Sequence, residues 1–483
     1  MNLLASLIEP FLRVVRDKPH AVLVREFPAG TQLDGVQLLE CVESQAATLR
    51  GLGVGPGALV LVRCGNCAAF PVAILACWRV GACCVLADAR SPEAQTMPFK
   101  TVFQPDALLT EASPPGRSGG MGRLRARRLP LSGQRSAEAP ADSAVIKITS
   151  GSTGEPRGVV VTAAQLCAGG RQIIETMEIN SADVNIGVIP MSHSYGFDNL
   201  ILPLVLQGSP LALLRDPLPD RLSSILGMDE SCIFPGVPYL FDLLQRSGTS
   251  PRRRGLRLCI SAGAPLPLRV ACALRERAGL EIHNFYGTTE AGGITFSREP
   301  AADLPEGCVG GPLRGVSLEL EPVSPEAAAC ADTGRVVVYS AAVAQAYIPA
   351  DASDAGPRRG RFATGDLGRL DTSGRLHLTG RLGSLVNVAG LKVSLEEVER
   401  TLRALASVRQ AVTIAVRDEH RGQSLAACVE AEEGATRESV LGELARRLPR
   451  YKLPRRMVIV SALPRTARGK PDLPRIRRLL GVD

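Results

Sequence analysis

Four short stretches carry residue types able to handle a nucleotide and an acid. The first is TSGSTG, Thr149 to Gly154. Its hydroxyls (Thr149, Ser150, Ser152, Thr153) can donate to phosphate oxygens, while Gly151 and Gly154 let backbone N–H groups close on the same anion. The Gly-Lys-Ser/Thr ending of a P-loop is missing, and Arg157 follows instead. An ordinary Ser/Thr/Gly loop has the same composition. The second stretch is NFYGTTEAGG, Asn284 to Gly293, where Glu290 follows two hydroxyls after a predicted strand. A carboxylate there could hold Mg²⁺ beside ATP phosphates. It reads equally as a capped turn, Thr288 or Thr289 opening a helix with an acidic first turn.

The third stretch is FATGDLGRLDTSGRLHLTGR, with Asp366 and Arg381. A carboxylate can accept both hydroxyls of a ribose, although two ordinary β-turns would use Asp and Gly in the same way. The fourth is PRTARGKPD, where Lys470 follows Gly469 in an Arg-rich tail. A compact ammonium on a mobile segment can neutralise a carboxylate and a phosphate as they meet. By itself it is also what a solvated tail looks like.

The elements that must position these residues follow from the patterning. GALVLVRC reads as a strand, CAAFPVAILACWRVG as a helix stopped by Gly81, and ACCVLAD as the next strand. A strand-helix-strand unit implies a right-handed crossover and a parallel sheet. The pattern recurs through VNIGVIP, NLILPLVLQG and PLALL, and again through RLCISAG, PLRVACALRERAG and LEIHNFYG. The first 300 residues therefore read as α/β, with glycine-rich turns at strand ends, where ligands bind in such sheets. Residues 111–142, rich in Pro, Gly, Ser and Arg, show no periodicity and read as a surface connection. Beyond about residue 300 the strands shorten, and the last hundred residues mix helices and strands into a small α+β unit. We place the boundary between Arg381 and Ser384, giving domains 1–381 and 384–483. A chain of 483 residues is expected to hold two or more such units.

The net charge of +8 is carried almost wholly by arginine, since the lysines are Lys18, Lys100, Lys147, Lys392, Lys452 and Lys470. Aromatics make up 4% of the chain and no basic run is interleaved with them, so nucleic acid is not an expected partner. The thirteen cysteines are scattered. Cys64 and Cys67 form one C-x-x-C, but no second pair completes a zinc pattern. Set among Val, Ala, Leu and Ile, they read as reduced core residues and point to the cytoplasm. The most apolar region is broken by Arg63, Asn66 and Arg79, so no membrane span is expected. The first twenty residues read as an amphipathic helix rather than a signal peptide.

Taken together and in order, TSGSTGEPRG, PMSHSYG, NFYGTTE, GCVGGPLRG, TGDLGRLDTSGRL, GRLGSLVNVAGLKVSLEEVE and PRTARGK resemble the adenylate-forming superfamily. That superfamily includes acyl-CoA synthetases, peptide-synthetase adenylation domains and firefly luciferase, and the resemblance spans about residues 20 to 480. It implies a large N-terminal α/β domain with mixed and parallel sheets flanked by helices, a β-rich subdomain, and a small mobile α+β C-terminal domain. The implied reaction is activation of a carboxylic acid by Mg-ATP to an acyl-adenylate, then transfer to a thiol.

By that resemblance, Thr149, Ser150, Gly151, Ser152, Thr153 and Gly154 hold the β/γ-phosphates, with Arg157 closing the loop. Thr289 contacts the α-phosphate and Glu290 the magnesium. Asn284, Phe285, Tyr286 and Gly287 line the adenine site, and Asp366 and Arg381 take the ribose. Lys470 bridges the attacking carboxylate and the α-phosphate. Gly390 and Lys392, in NVAGLKVS, line a thiol tunnel that forms when the C-terminal domain rotates. The sequence departs from the family pattern at Arg157, Gly383 and Asn387, where lysine or, at the hinge, Asp or Lys is usual. Arg157 keeps the charge, and glycine at the hinge is compatible with rotation.

His193 stands where acyl and aryl ligases often carry histidine or an aromatic. Asp198, five residues further on, does not align with the aspartate that pairs an amino acid's α-amine in peptide synthetases. A fatty or aryl acid is therefore expected, in a pocket formed by His193, Gly196, Phe197, Ala262, Gly263 and Ala264. Coenzyme A is the expected acceptor, the alternative being the phosphopantetheine of an acidic acyl carrier protein meeting the Arg-rich tail. A non-catalytic acyl-nucleotide-binding homologue and a luciferase-like oxygenase are the other readings.

Overall fold

The computed structural model describes residues 4–28, 30–89, 102–111, 124–130, 140, 142–150, 156–248, 255–323, 332–349, 356–358, 360–382, 385–388, 391–418, 422–466 and 469–482. The chain forms two compact units, Met1–Leu318 with Val338–Ala363, and Glu319–Val337 with Thr364–Asp483.

The first unit is α/β. Helix Ala69–Arg79 is buried from Ala69 through Trp78, as expected of a segment apolar on every face. It joins parallel neighbours Leu59–Arg63 and Cys83–Leu86, so the crossover read from the sequence forms. These strands belong to a sheet of order Ala346–Ile348, Pro156–Thr162, Ser143–Ser150, Cys83–Leu86, Leu59–Arg63, Ala107–Glu111, Leu124–Arg128. A second sheet carries Cys232–Gly236, Leu256–Ser261 and Ile282–Thr288 in parallel, and the antiparallel strand Gly292–Phe296 follows them. Such mixed sheets are common where a hairpin closes one edge.

The surface connection expected over 111–142 is corrected at its centre, because Leu124–Arg128 pairs antiparallel with Ala107–Glu111. Alternation across five residues was hidden by arginine. Leu124 and Ala126 pack against the main core, while Arg125 and Arg127 point to solvent. Charges on an edge strand are a usual defence against further pairing.

Strands Val316–Pro322, Gly334–Ser340, Arg361–Leu370 and Leu376–Arg381 make a four-stranded sheet in that order. In the last hundred residues, Gly422–Ala431 pairs antiparallel with Val408–Asp418 and parallel with Arg456–Val460. Alternate residues sort to its two faces. Ala427 and Val429 pack with Val398, Leu402, Val440 and Leu444 of helices Leu395–Arg403 and Arg437–Ala445. Ala426 and Cys428 pack with Ile476 and Leu480 of helix Leu473–Leu480. The α+β character read from the sequence is therefore realised as a sheet covered on both faces. The cysteines among the described residues are free thiols, and burial pushes Cys67 up to about 12 and Cys428 up to about 11. Among the described residues no helix is long and apolar enough to cross a membrane.

Candidate active site

The glycine-rich stretch joins two antiparallel strands. Thr149 stands opposite Arg157, and Ser150 opposite Pro156, in the pairing of Ser143–Ser150 with Pro156–Thr162. Gly151, Ser152, Thr153 and Gly154 lie outside the described residues. A P-loop hands its phosphates to the helix that follows directly. Here the next helix, Ala163–Thr176, begins only after a whole strand, and Thr162 and Gln165 close its N-terminus in a capping box. This hairpin arrangement sets the motif apart from a P-loop, which runs directly into its helix. Arg157 is held on the returning strand with its guanidinium carbon 5.8 Å from the Tyr347 ring centroid.

NFYGTTEAGG is likewise a hairpin, so the helix-opening alternative is overturned. Strand Ile282–Thr288 turns through Thr289, Glu290 and Ala291 into Gly292–Phe296, with Tyr286 opposite Thr295. Thr288 Oγ1 accepts from Ala291 N at 3.1 Å, which closes the turn and leaves Thr289 to line a neighbouring cavity. Glu290 is fixed from outside the motif. Tyr347 donates its hydroxyl hydrogen to Glu290 Oε1 at 2.8 Å, and the Glu290 carbonyl accepts from Ala344 N at 2.8 Å. Asn284 donates from Nδ2 to Cys308 O at 2.9 Å, so that side chain is engaged in bracing the next loop. Phe285 is buried 5.8 Å from the Tyr195 ring, and Tyr286 and Gly287 occupy the register just before the turn. Tyr195 itself donates to Ile260 O at 3.1 Å, and burial pushes its phenol well above the ordinary tyrosine range.

The segment around His193 folds as one turn of helix, Ser194–Gly196, followed by a π-helical turn, Phe197–Ile201. Such π turns are frequent at functional sites. His193 Nε2 lies 3.5 Å from Asp88 Oδ2, at the end of the buried strand Cys83–Leu86. Gly196 is obligatory for space, because a Cβ there would come within 2.2 Å of Pro190 O. Phe197 is fully buried and packs edge-on to Trp78 at 6.2 Å. Ala262 is buried, whereas Gly263 and Ala264 are exposed just beyond strand Leu256–Ser261.

A buried ion pair escaped the sequence reading. Lys147 Nζ lies 2.6 Å from Asp198 Oδ1 and donates to Ser194 Oγ at 3.1 Å, and Ser194 Oγ donates to Asp198 Oδ2 at 3.0 Å. The two charged side chains are 4% and 8% exposed. Both line a narrow cavity that also reaches Gly169, Ile173, Leu202, Thr289 and Gly293. A lysine inside the apolar run AVIKITS, in a chain with so few lysines, was the available signal. Tyr347 and Asp88 offered little: one follows glutamine and alanine with no motif around it, and the other comes just after a strand as many acids do.

Asp366 and Arg381 meet. The two stand directly opposite in the pairing of Arg361–Leu370 with Leu376–Arg381, with Arg381 Nε 3.3 Å from Asp366 Oδ1. Asp366 therefore sits within a strand rather than in the expected turn; the turn is made by Asp371 to Gly374, closed by Asp371 on Ser373 N, Arg375 and His377. Those bonds, led by the one from His377, hold the Asp371 carboxyl well below the usual range. Lys470 is exposed at the end of a short loop closed by the Arg465–Pro471 bridge. Its carbonyl accepts from Thr466 N at 2.8 Å, and Gly469 adopts φ +75°, which lets the loop turn sharply before the lysine. Lys392 pairs in register with Asn387, while Gly390 and Gly383 lie outside the described residues.

Residues 11–348 match the family of AMP-binding enzymes, and residues 397–470 match the AMP-binding enzyme C-terminal domain. The chain is 28% identical to a feruloyl-CoA synthase from Amycolatopsis sp over 490 aligned positions, 97% of this chain and 98% of that protein. It is 29% identical to an oxalate–CoA ligase from Arabidopsis thaliana, over 68% of this chain but just under two thirds (66%) of that protein. ATP-bound MatB from Rhodopseudomonas palustris shares the fold, with a TM-score of 0.82 at 23% identity over 99% of this chain and 98% of that one.

Proposed function

The chain belongs to the AMP-binding enzyme family, and from that premise we propose that it is an AMP-forming acid–thiol ligase acting on a fatty or aryl acid. The acid's carboxylate attacks the α-phosphorus of ATP, the bond to the β-phosphate oxygen breaks, and pyrophosphate leaves. The thiol of coenzyme A then attacks the acyl carbonyl, and AMP departs as the thioester forms. Residues 1–381 serve as the adenylation domain and 384–483 as the mobile domain, with Gly383 near its hinge.

The chain's own groups meet the demands of an anion attacking a polyanion. Thr149, Ser150 and the loop through Gly154 hold the β/γ-phosphates, with Arg157 keeping a positive charge beside them. Thr289 takes the α-phosphate. Asn284, Phe285, Tyr286 and Gly287 form the adenine platform, and Asp366 with Arg381 orients the ribose. Lys470 supplies the cation that the hairpin loop lacks. The Glu290 carboxylate suits Mg²⁺, a hard cation that often takes one or two protein carboxylates and completes its shell from phosphates and water. One Glu290 oxygen is already oriented by Tyr347. When bound, Mg²⁺ neutralises charge on the phosphates. His193, braced by Asp88, borders the acid, with Gly196, Phe197 and Ala262 behind it and Gly263 and Ala264 at the rim. Gly390 and Lys392 line the thiol's approach. The exposed arginines Arg446, Arg450, Arg455 and Arg478 offer charge for the acceptor's phosphates. The free thiols fit a reducing, cytoplasmic setting.

The observation that carries this reading is the turn of the second hairpin, which directs Thr289 to a cavity while Tyr347 fixes Glu290. Mass spectrometry of the purified chain with ATP, Mg²⁺ and a fatty or aryl acid tests it. Thioester on added coenzyme A supports the reading, and label appearing only on an added acyl carrier protein would move the acceptor.

A further inference from the structure

Lys147, Asp198 and Ser194 take no part in the adenylation scheme above, yet they form a closed, hydrogen-bonded cluster inside the first unit. Stability does not explain it. A buried ion pair gains little or nothing over well-packed apolar residues of the same volume, because two charges must leave water. Lys147 stands in the apolar run AVIKITS, and the ring of Phe197 lies 5.5 Å from its ammonium. An apolar pair suits those surroundings. What a buried, directional pair does supply is register. Charged partners fit in one relative placement, whereas apolar cores lose uniqueness before they lose stability.

The register set here joins two segments that carry assigned chemistry. Lys147 lies two residues before Thr149 on strand Ser143–Ser150, which runs into the phosphate loop. Side chains two apart on a strand share a face, so the ammonium and the Thr149 hydroxyl stand on the same side of the sheet. Ser194 follows His193 directly, and Asp198 sits in the π turn Phe197–Ile201, next to Gly196 and Phe197. A second tie reinforces the first. Strand Cys83–Leu86 is the parallel neighbour of Ser143–Ser150, with Leu86 opposite Lys147. Asp88, two residues beyond Leu86, lies 3.5 Å from His193. Two adjacent strands therefore grip the His193 segment, one at His193 and the other at Ser194 and Asp198. Thr289, placed at the α-phosphate, lines the narrow cavity that Lys147 and Asp198 also line.

Resting on the ligase reading, we propose that Lys147 and Asp198, with Ser194, are positioning residues for adenylation. They hold the phosphate-loop strand and the His193 segment in the one register that lines up ATP with the acid. In-line attack tolerates little error, since a misplacement of about 1 Å can cost about 100-fold. The requirement belongs to the first half-reaction. Once pyrophosphate has left, the β/γ-phosphates are gone from the loop, and the thiol's attack on the acyl-adenylate no longer depends on that strand's register.

That asymmetry is the test. Either single charge variant strands a buried charge, so the pair is removed together in Lys147→Met/Asp198→Leu. Each half-reaction is measured with the first acid that the unaltered chain activates among hexanoate, dodecanoate, benzoate and cinnamate. We expect pyrophosphate exchange to lose about 100-fold in kcat, with KM for ATP and for the acid near the parent values. Thioester formation from pre-made acyl-adenylate should stay near the parent rate, and the unfolding midpoint should not fall. Ser194→Ala, which keeps the charges paired, should show a smaller loss confined to exchange. If the double variant does not fold, Ser194→Ala decides by the same comparison. Equal loss in both half-reactions, or undiminished exchange, overturns the inference and leaves the ligase reading standing. Exchange by the unaltered chain with none of these acids overturns the ligase reading and the inference with it.

Discussion

Tyr347 Oη donates to Glu290 Oε1 at 2.8 Å, joining strand Ala346–Ile348 to the hairpin turn that follows Ile282–Thr288. The ring that carries this hydroxyl also lies 5.8 Å from the Arg157 guanidinium. A carboxylate, a phenol and a guanidinium from three separate segments are therefore held in one chain of contacts. Hydrogen bonds to charged groups contribute about 1.5–3 kcal/mol, enough to fix which way a lone carboxylate points. In Tyr347→Phe we expect adenylation to fall about tenfold and half-saturation to need several-fold more Mg²⁺, with unchanged circular dichroism. An unaltered Mg²⁺ requirement would show that Glu290 is oriented by other contacts.

Lys470 stands on a loop braced through its own backbone, by Thr466 N on the Lys470 carbonyl. Its side chain is exposed. Lys470→Ala should cost about 100- to 1000-fold in acyl-adenylate formation, the range for removing one charge-stabilising group from a transition state. Thermal unfolding should shift by no more than a degree or two. Thioester formation from pre-made acyl-adenylate, measured separately, should survive.

Asp366 and Arg381 are opposite one another on paired strands, but Arg381 is 65% exposed. An exposed ion pair contributes little to stability. The consequence should therefore appear in nucleotide binding: Asp366→Asn raises the KM for ATP about tenfold, and Arg381→Ala leaves the unfolding midpoint nearly unchanged. Titration with ATP and with its 2′-deoxy analogue checks the ribose assignment, because the variant should lose most of the difference between the two.

Glu399 gives a prediction about pH. Burial raises its carboxyl to about 7, against the opposing pull of the Thr413 N–H and of Arg403. The folded chain thus keeps a proton that the unfolded chain has released above the ordinary glutamate range. Stability falls between the two values as pH rises, and the loss is complete above the folded value. Glu399→Gln, which can still accept from Thr413 N, should be more stable than the parent by about 2 kcal/mol at pH 8. At pH 4 the two should be nearly equal. Urea unfolding at the two pH values measures the difference, and an equal gain at both would assign the effect to packing.

Much of this was legible in the sequence where periodicity speaks for itself. The apolar helix Ala69–Arg79 and its flanking strands lie where their patterns place them. Motif residues were legible as chemistry but less so as geometry. Asp366 looked like a turn residue because Thr-Gly-Asp is turn-like, yet five register pairs with the hairpin strand Leu376–Arg381 outweighed that local signal. Glu290 looked like the first turn of a helix because two hydroxyls precede it, while Gly292 and Gly293 opened a return strand instead. The Lys147–Asp198 pair and the Tyr347 contact depend on segments 51 and 57 residues apart in sequence. Side-chain partners at such separations are set by the tertiary fold and leave no spacing to read.

The central claim is that this chain joins a fatty or aryl acid to AMP. ATP–pyrophosphate exchange by the purified chain, run across fatty, aryl and amino acids with Lys470→Ala alongside, tests it most directly. The account predicts exchange that requires a fatty or aryl acid and collapses in the variant. Exchange supported by amino acids alone, or exchange undiminished in Lys470→Ala, would contradict it.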